Sequence, residues 1–329
     1  MGSVQSVLME WFWQHQRKLP WRGVSDPYKV LLAEVLLQQT RVEQAIPYYE
    51  RFLQCFPTLE ALAKASQEEV LKAWQGCGYY ARARNLHRLA QQVAANGGFP
   101  KNYGALRALP GIGPYTAAAL ASIAFGEPVA AVDGNVRRVL SRWYAWEKPT
   151  AGQIQQAAEA LMAGPARLSP GDWNQALMEL GATVCLPKSP TCGRCPVTRF
   201  CLGQAAPERY PAPKERKQRQ LEWVALVLQG PSGVYLEQRQ GALLGGLWGF
   251  PMEEGPGALA RLLARFGLEQ AERLGSLCHD FTHRKLHIEV YRAPWVAGEN
   301  PANRPLSRLD QKILALVEAN LSSQHSPAG

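Results

Sequence analysis

Apolar positions recur at helical spacing in residues 30–37, 59–74, 82–94, 115–124 and 154–162, and each run predicts a helix with a buried face. Pro57, Gly76, Gly97, Gly98, Gly111 and Gly113 punctuate these runs. Residues 3 to about 205 therefore read as helical. The pattern changes after residue 205, where three prolines and a Lys-Glu-Arg-Lys cluster at 214–217 predict an exposed linker. Beyond it, runs 221–229 and 234–238 flank Gly230-Pro231-Ser232-Gly233 and predict a β-hairpin. A helix over 256–268, a strand over 286–291 and a helix over 306–320 complete an α+β pattern. Residues 322–329 read as a disordered tail.

The length of 329 residues suits two domains. Lys and Arg number 36 against 27 Asp and Glu, a formal charge of +9 that suits a polyanionic partner such as nucleic acid. No run approaches the roughly 18 apolar residues that a membrane span needs. The first 17 residues lack the basic-then-apolar layout of a signal peptide. The expected setting is the cytoplasm, on the nucleoid if the source is bacterial. Seven cysteines there argue for metal or cluster ligation rather than a disulfide framework.

Four of them, Cys185, Cys192, Cys195 and Cys201, are spaced C-x6-C-x2-C-x5-C in a segment rich in Pro and Gly. Four thiolates from such a loop ligate either a tetrahedral zinc or a cubane cluster. A single close pair and no neighbouring histidine tilt the spacing toward the cluster and leave zinc open. Cys55, Cys77 and Cys278 are expected to be packed, buried thiols.

Leu109-Pro110-Gly111-Ile112-Gly113-Pro114-Tyr115 joins two helical runs. Gly111 and Gly113 permit a tight turn, and the helix that follows offers free N–H groups to an anion such as a DNA phosphate. Asp133 follows the apolar run 128–132 and precedes Gly134-Asn135, which reads as a turn or helix cap in the absence of other signals. Glu34 is odder: its helical neighbours Val30, Leu31 and Leu37 are all apolar. A carboxyl on such a stripe is costly to ionise. A proton-holding carboxyl beside an ionised one is the arrangement that cleaves glycosidic bonds.

Together these strings resemble the endonuclease III superfamily of DNA glycosylases over roughly residues 4–205. The resemblance implies a mainly α helix-hairpin-helix fold. A six-helix barrel would span about 22–133, and an iron–sulfur domain would form from about 1–21 and 134–205. It also implies that the four cysteines hold a 4Fe–4S cluster. Where bifunctional members carry a nucleophilic lysine, this chain has Tyr115, so little or no lyase activity is expected. That residue makes the chain most similar to the MutY-type adenine DNA glycosylases, as do Leu19-Pro20-Trp21-Arg22, the 34–40 string ending Gln38-Gln39-Thr40, and Gly78-Tyr79-Tyr80.

Those proteins carry a C-terminal Nudix-like domain, expected here over 221–321 after a linker at 206–220. Gly246-Leu247-Trp248-Gly249-Phe250-Pro251 resembles its signature. Aligning the Nudix-box glycine with Gly267 puts Ala260, Arg261, Ala264 and Arg265 at the charged positions of the box; the magnesium carboxylates are absent, so the domain is expected to recognise DNA rather than hydrolyse nucleotides. The family's Phe-Ser-His loop is Phe281-Thr282-His283 here.

The implied activity is hydrolysis of adenine mispaired with 8-oxoguanine, or guanine, in duplex DNA during base excision repair, by a monomer. The resemblance makes Glu34 the acid, Asp133 the stabiliser of positive charge at C1′, and Asn135 and Tyr115 their neighbours. It gives Trp21, Arg22 and Gln175 to the adenine pocket. Gln39, Thr40, Phe281, Thr282 and His283 fall on the 8-oxoguanine side, Tyr79 to an intercalating wedge, and Gly111 and Gly113 to phosphate. The rival readings are a glycosylase-lyase, a non-enzymatic DNA sensor and a nucleotide hydrolase.

Overall fold

The computed structural model describes residues 2–163, 169–213, 219–240, 244–281 and 284–324. Thr282, His283, the core of the expected linker and the last five residues lie outside the described residues. The chain divides into two compact units, residues 1–63 with 88–214, and residues 64–87 with 215–329.

The helices run α1 (Val4–His15), α2 (Pro27–Leu37), α3 (Val42–Cys55), α4 (Leu59–Lys64), α5 (Gln67–Ala73), α6 (Ala81–Ala95), α7 (Tyr103–Arg107), α8 (Pro114–Phe125), α9 (Gly134–Trp143), α10 (Ala151–Met162) and α11 (Pro170–Thr183). The expected single run over 59–74 is two helices. Ser66 caps α5 with a full capping box to Glu69, which stops the preceding helix.

In the first unit, α2 is buried almost all round and enters through Asp26, whose carboxylate caps Tyr28 and Lys29, with Pro27 in the first turn. α8 is equally apolar, buried from Thr116 to Ser122. Both ends of the unit's sequence meet in a second core. Leu8, Met9 and Phe12 of α1 pack there with Val136, Val139 and Leu140 of α9, Ile154 of α10 and Trp173, Leu177 and Leu180 of α11. Cys185, Cys195 and Cys201 pack against this core.

Part of the expected linker is not free. The guanidinium of buried Arg142 donates to the carbonyls of Pro207 and Tyr210, and Ala212 N donates to Glu147 O. The segment up to residue 212 is thereby tied to the first unit.

The second unit holds β1 (Arg219–Gly230), β2 (Gly233–Val234), β3 (Glu237–Gln238), β4 (Trp248–Gly249), β5 (Met252–Glu254), α12 (Ala258–Phe266), β6 (Glu272–Phe281), β7 (Arg284–Pro294) and α13 (Arg308–Gln324). The main sheet runs β2-β1-β7-β6, with β5 also paired to β1. β1 and β7 are parallel, and the other pairs are antiparallel. Leu309, Ile313 and Val317 of α13 cover one face, and Leu262 of α12 belongs to the core on the other. The hairpin forms as expected at Gly230–Gly233 but is only two residues deep. α13 continues through Gln324, so residues 322–324 of the expected tail are helical. No described helix is long and apolar enough to cross a membrane.

Candidate active site

Glu34 is buried on α2 at 8% exposure among Leu31, Leu32, Val35 and Leu36. Burial pushes its carboxyl up to about 7, and the charge of Asp133 adds to the rise. A 2.5 Å hydrogen bond donated by the Tyr115 hydroxyl, and the Arg22 charge, pull it back down. Tyr115, in the first turn of α8, is itself pushed well above its ordinary range by burial and by the adjacent Glu34.

Asp133 is the N-cap of α9, so its cap reading and its candidate catalytic role coincide. Its Oδ1 accepts from Val136 N at 2.7 Å and its Oδ2 from Asn135 Nδ2 at 2.8 Å. Burial raises this carboxyl, while those N–H donors and the Arg138 charge oppose the rise. Arg138 Nη2 donates to Asn135 Oδ1 at 2.8 Å and to Gly181 O at 2.7 Å, and its Nε donates to Cys185 O at 2.8 Å. One guanidinium thus ties the Asp133 partner to the first cysteine.

Glu34, Tyr115, Asp133 and Asn135 line one pocket of about 1130 Å³. Trp21, Arg22, Gln39, Thr40 and Gln175 line it too. Trp21 is 8% exposed and held edge-on by Tyr49 at 5.3 Å. Gln39 has φ +59°, a left-handed turn just after α2 ends. The site residues expected to surround the base therefore converge, although they come from widely separated segments of the chain.

The 109–113 turn behaves as its glycines require. Gly111 has φ +78°, and Gly113 caps α8 with no side chain to satisfy the helix's first N–H groups. Tyr79 and Phe281 belong to the second unit. Tyr79 is 47% exposed at φ +49°, with the Arg82 guanidinium 5.3 Å from its ring centre. Phe281 ends β6 and meets His279 edge to face.

Cys185, Cys192, Cys195 and Cys201 line a common pocket with Arg142. Among the described residues no group of three or more His, Cys, Asp or Glu is set to hold a single metal ion. The donor chemistry nevertheless fits a thiolate-bound group. Arg142 Nη1 lies 3.3 Å from Cys185 Sγ, and backbone N–H groups at Val197 and Gly203 stabilise the Cys195 and Cys201 thiolates. Burial still pushes the Cys195 thiol up to about 11, and a bound cation would reverse that. The remaining cysteines differ from expectation: Cys55 and Cys278 are exposed and Cys77 is half-buried. Cys55 ends an amphipathic helix and Cys278 lies on a strand with a solvent-facing side, so neither reaches a core.

Glu179, Arg17 and Arg138 escaped the sequence reading. Glu179 is 2% exposed, and both arginines contribute to the surroundings of the pocket residues. The signal for Glu179 was the one that marked Glu34, a carboxyl flanked by Leu177, Met178 and Leu180 on a helix.

Residues 32–163 match the model of the HhH-GPD superfamily base excision DNA repair proteins, and residues 223–316 match a NUDIX domain. The fold and site thus define a helix-hairpin-helix DNA glycosylase with a C-terminal Nudix-like domain. The chain is 33% identical to the adenine DNA glycosylase of Mus musculus, over 96% of this chain and 78% of that one. It is 35% identical to the adenine DNA glycosylase of Homo sapiens, over 88% of this chain and 66% of that one. A solved thermostable thymine-DNA glycosylase superposes with a TM-score of 0.56 at 31% identity, covering 61% of this chain and 94% of its own. The chain belongs to the adenine DNA glycosylase family.

Proposed function

We propose that this protein hydrolyses the N-glycosidic bond of adenine mispaired with 8-oxoguanine in duplex DNA, as a monofunctional enzyme. The observation that carries the reading is the pairing of a proton-holding Glu34 with Asp133 in one pocket, with Tyr115 where a lyase would need an amine. Residues 1–205 are the catalytic region, 206–220 the connection and 221–321 the lesion-reading domain of this proposal. Cytoplasmic location and a monomeric state belong to the same reading.

The adenine leaves the base stack to reach the pocket, because its glycosidic bond is inaccessible inside the duplex. Glu34 gives its proton to N7 of the base as the C1′–N9 bond breaks and the bonding pair leaves with adenine. Asp133, ionised, stabilises the positive charge that develops at C1′. Asn135 holds Asp133 through Nδ2. Water then adds to C1′ and returns a proton to Glu34. The uncapped start of α8 and the net charge of +9 supply phosphate contacts. Gln39, Thr40, Tyr79, Phe281, Thr282 and His283 serve the opposing 8-oxoguanine and the gap left in the stack.

Cys185, Cys192, Cys195 and Cys201 would hold a 4Fe–4S cluster. When bound, it would supply a rigid staple for the 185–201 segment, with no part in the hydrolysis. The Nudix-like domain has no hydrolytic role. Ala260 and Ala264 carry no carboxylate, and Arg261 and Arg265 engage Glu253 and Glu237.

The deciding experiment is a single-turnover assay on duplexes with adenine opposite 8-oxoguanine and opposite thymine, developed with alkali. Base loss confined to the first supports the proposal, and loss from neither sinks it. Borohydride trapping of wild-type protein on the same duplex would overturn the monofunctional assignment.

A further inference from the structure

Glu179 is a buried carboxylate that the proposed chemistry does not use. It lies on α11 one turn after Gln175, at 2% exposure. Its Oε1 accepts from Arg17 N at 3.0 Å and Arg17 Nε at 2.7 Å. Its Oε2 accepts from Arg17 Nη2 at 3.0 Å and Arg22 Nη2 at 2.9 Å. Burial alone would raise this carboxyl, but the Arg17 hydrogen bonds and the two positive charges hold it below the usual carboxylate range.

The other terminal nitrogen of Arg22 donates to Gln175 Oε1 at 2.5 Å. A guanidinium carries no acceptor, so the Gln175 atom that meets it is the carbonyl oxygen. Gln175 Nε2 donates to Gly171 O at 3.2 Å, which leaves it one further N–H. Arg22 Nε is buried and meets no acceptor among the described residues. Arg22 and Gln175 both line the pocket. Beyond one lone pair left on the Gln175 carbonyl, their remaining hydrogen-bonding capacity is donor.

We propose that Glu179 is a positioning residue for base recognition. By anchoring Arg22 it commits the Gln175 carbonyl to Arg22, and so leaves the pocket N–H donors that suit the unprotonated ring nitrogens of an entering base. The proposal rests on the adenine reading above. It separates Glu179 from a plain structural ion pair, whose loss would weaken the fold and duplex binding alike without depending on Gln175. Arg17, at the more exposed end, mainly keeps Glu179 ionised, whereas Arg22 transmits its position.

The test is a double-mutant cycle on full-length protein: wild type, Glu179→Gln, Gln175→Ala and the double variant. Single-turnover adenine release is measured opposite 8-oxoguanine, together with affinity for the product duplex bearing an abasic site. Glu179→Gln is expected to slow release by about tenfold or more with product affinity held within about threefold. In the Gln175→Ala background the same change is expected to slow release by less than about threefold. Losses that multiply, or a matching fall in product affinity, overturn the proposal. Should Glu179→Gln fail to fold, Arg22→Lys decides, because one ammonium cannot hold Glu179 and Gln175 in a fixed fork. Slowed release with intact product affinity supports the proposal, and wild-type release overturns it. No adenine release by wild-type protein would instead remove the adenine reading itself, and this proposal with it.

Discussion

The Tyr115 hydroxyl donates a 2.5 Å hydrogen bond to Glu34 Oε2 across 81 residues of sequence. A bond to the ionised carboxylate favours ionisation, so Tyr115 works against the burial that keeps Glu34 protonated. The acid must hold its proton to act, which places the alkaline limb of the rate profile near the Glu34 value of about 7. Removing the hydroxyl removes an influence that lowers this value. Tyr115→Phe should therefore move the alkaline limb to higher pH, by roughly 0.5–1 pH unit for a bond worth about 1 kcal/mol. Single-turnover release from pH 5.5 to 9 reads the shift; a limb that stays or moves down removes Tyr115 from this role.

Glu34 should also weaken the fold at alkaline pH. Its carboxyl stands at 4.5 when free and about 7 in the folded chain. Between those values the folded chain keeps a proton that the unfolded chain has released. Stability from this group is thus present below pH 4.5, declines as pH rises and is lost above about 7. The loss is about 3 kcal/mol in all. Glu34→Gln cannot ionise, so it should abolish adenine release yet unfold at higher urea than wild type at pH 8. At pH 4.5 the two midpoints should converge. Equal midpoints at pH 8 would show that Glu34 is not desolvated as described.

The core of this site is legible in sequence because its residues break local rules. Glu34 stands on an apolar stripe, Gly111 precedes a helix start, and the cysteine spacing is compact. Asp133 is less legible, because a cap aspartate and a catalytic one leave the same local pattern. Glu179 needs knowledge that Arg17 and Arg22, more than 150 residues away, reach it. Elements fail for related reasons. β6 alternates exposed with only half-buried positions, and His279 and Gly275 take half-buried places where an apolar side chain would mark a strand, so it carries no strong strand signal. The break between α4 and α5 depends on a Ser66–Glu69 box inside a run whose apolar spacing continues across it.

Asn135 depends on a close helix approach that only glycine permits. A Cβ added at Gly181 of α11 would lie 2.6 Å from Asn135 Cβ and 3.1 Å from its Cα. Neither atom is the end of a flexible side chain, so α9 or α11 must shift. Gly181→Ala should destabilise the protein by about 1–3 kcal/mol, the range for overpacking. Because Asn135 Nδ2 holds Asp133, adenine release should fall further than stability does, by about tenfold or more at a temperature where the variant is fully folded. Thermal unfolding and single-turnover release on the same samples separate the two effects. A folded variant with wild-type release would show that Asn135 does not set the aspartate's geometry.

Arg142 is the anchor of the cysteine segment. Buried at 2% exposure, it donates to Leu186 O at 2.7 Å and Pro187 O at 3.1 Å on one side, and to Pro207 O at 2.8 Å and Tyr210 O at 3.1 Å on the other. Its Nη1 also faces Cys185 Sγ. An ammonium offers three donors from one point and cannot span these two segments in a planar fork. Arg142→Lys should deprive several of these part-buried carbonyls of their donor and loosen residues 185–210 together. The purified variant should then hold less iron and acid-labile sulfide per chain than wild type. Because Arg138 ties Asn135 to Cys185 O, its adenine release should fall as well. Full iron content with normal release would show that the segment holds its shape without Arg142. Iron loss with normal release would instead uncouple the cysteine loop from Asp133.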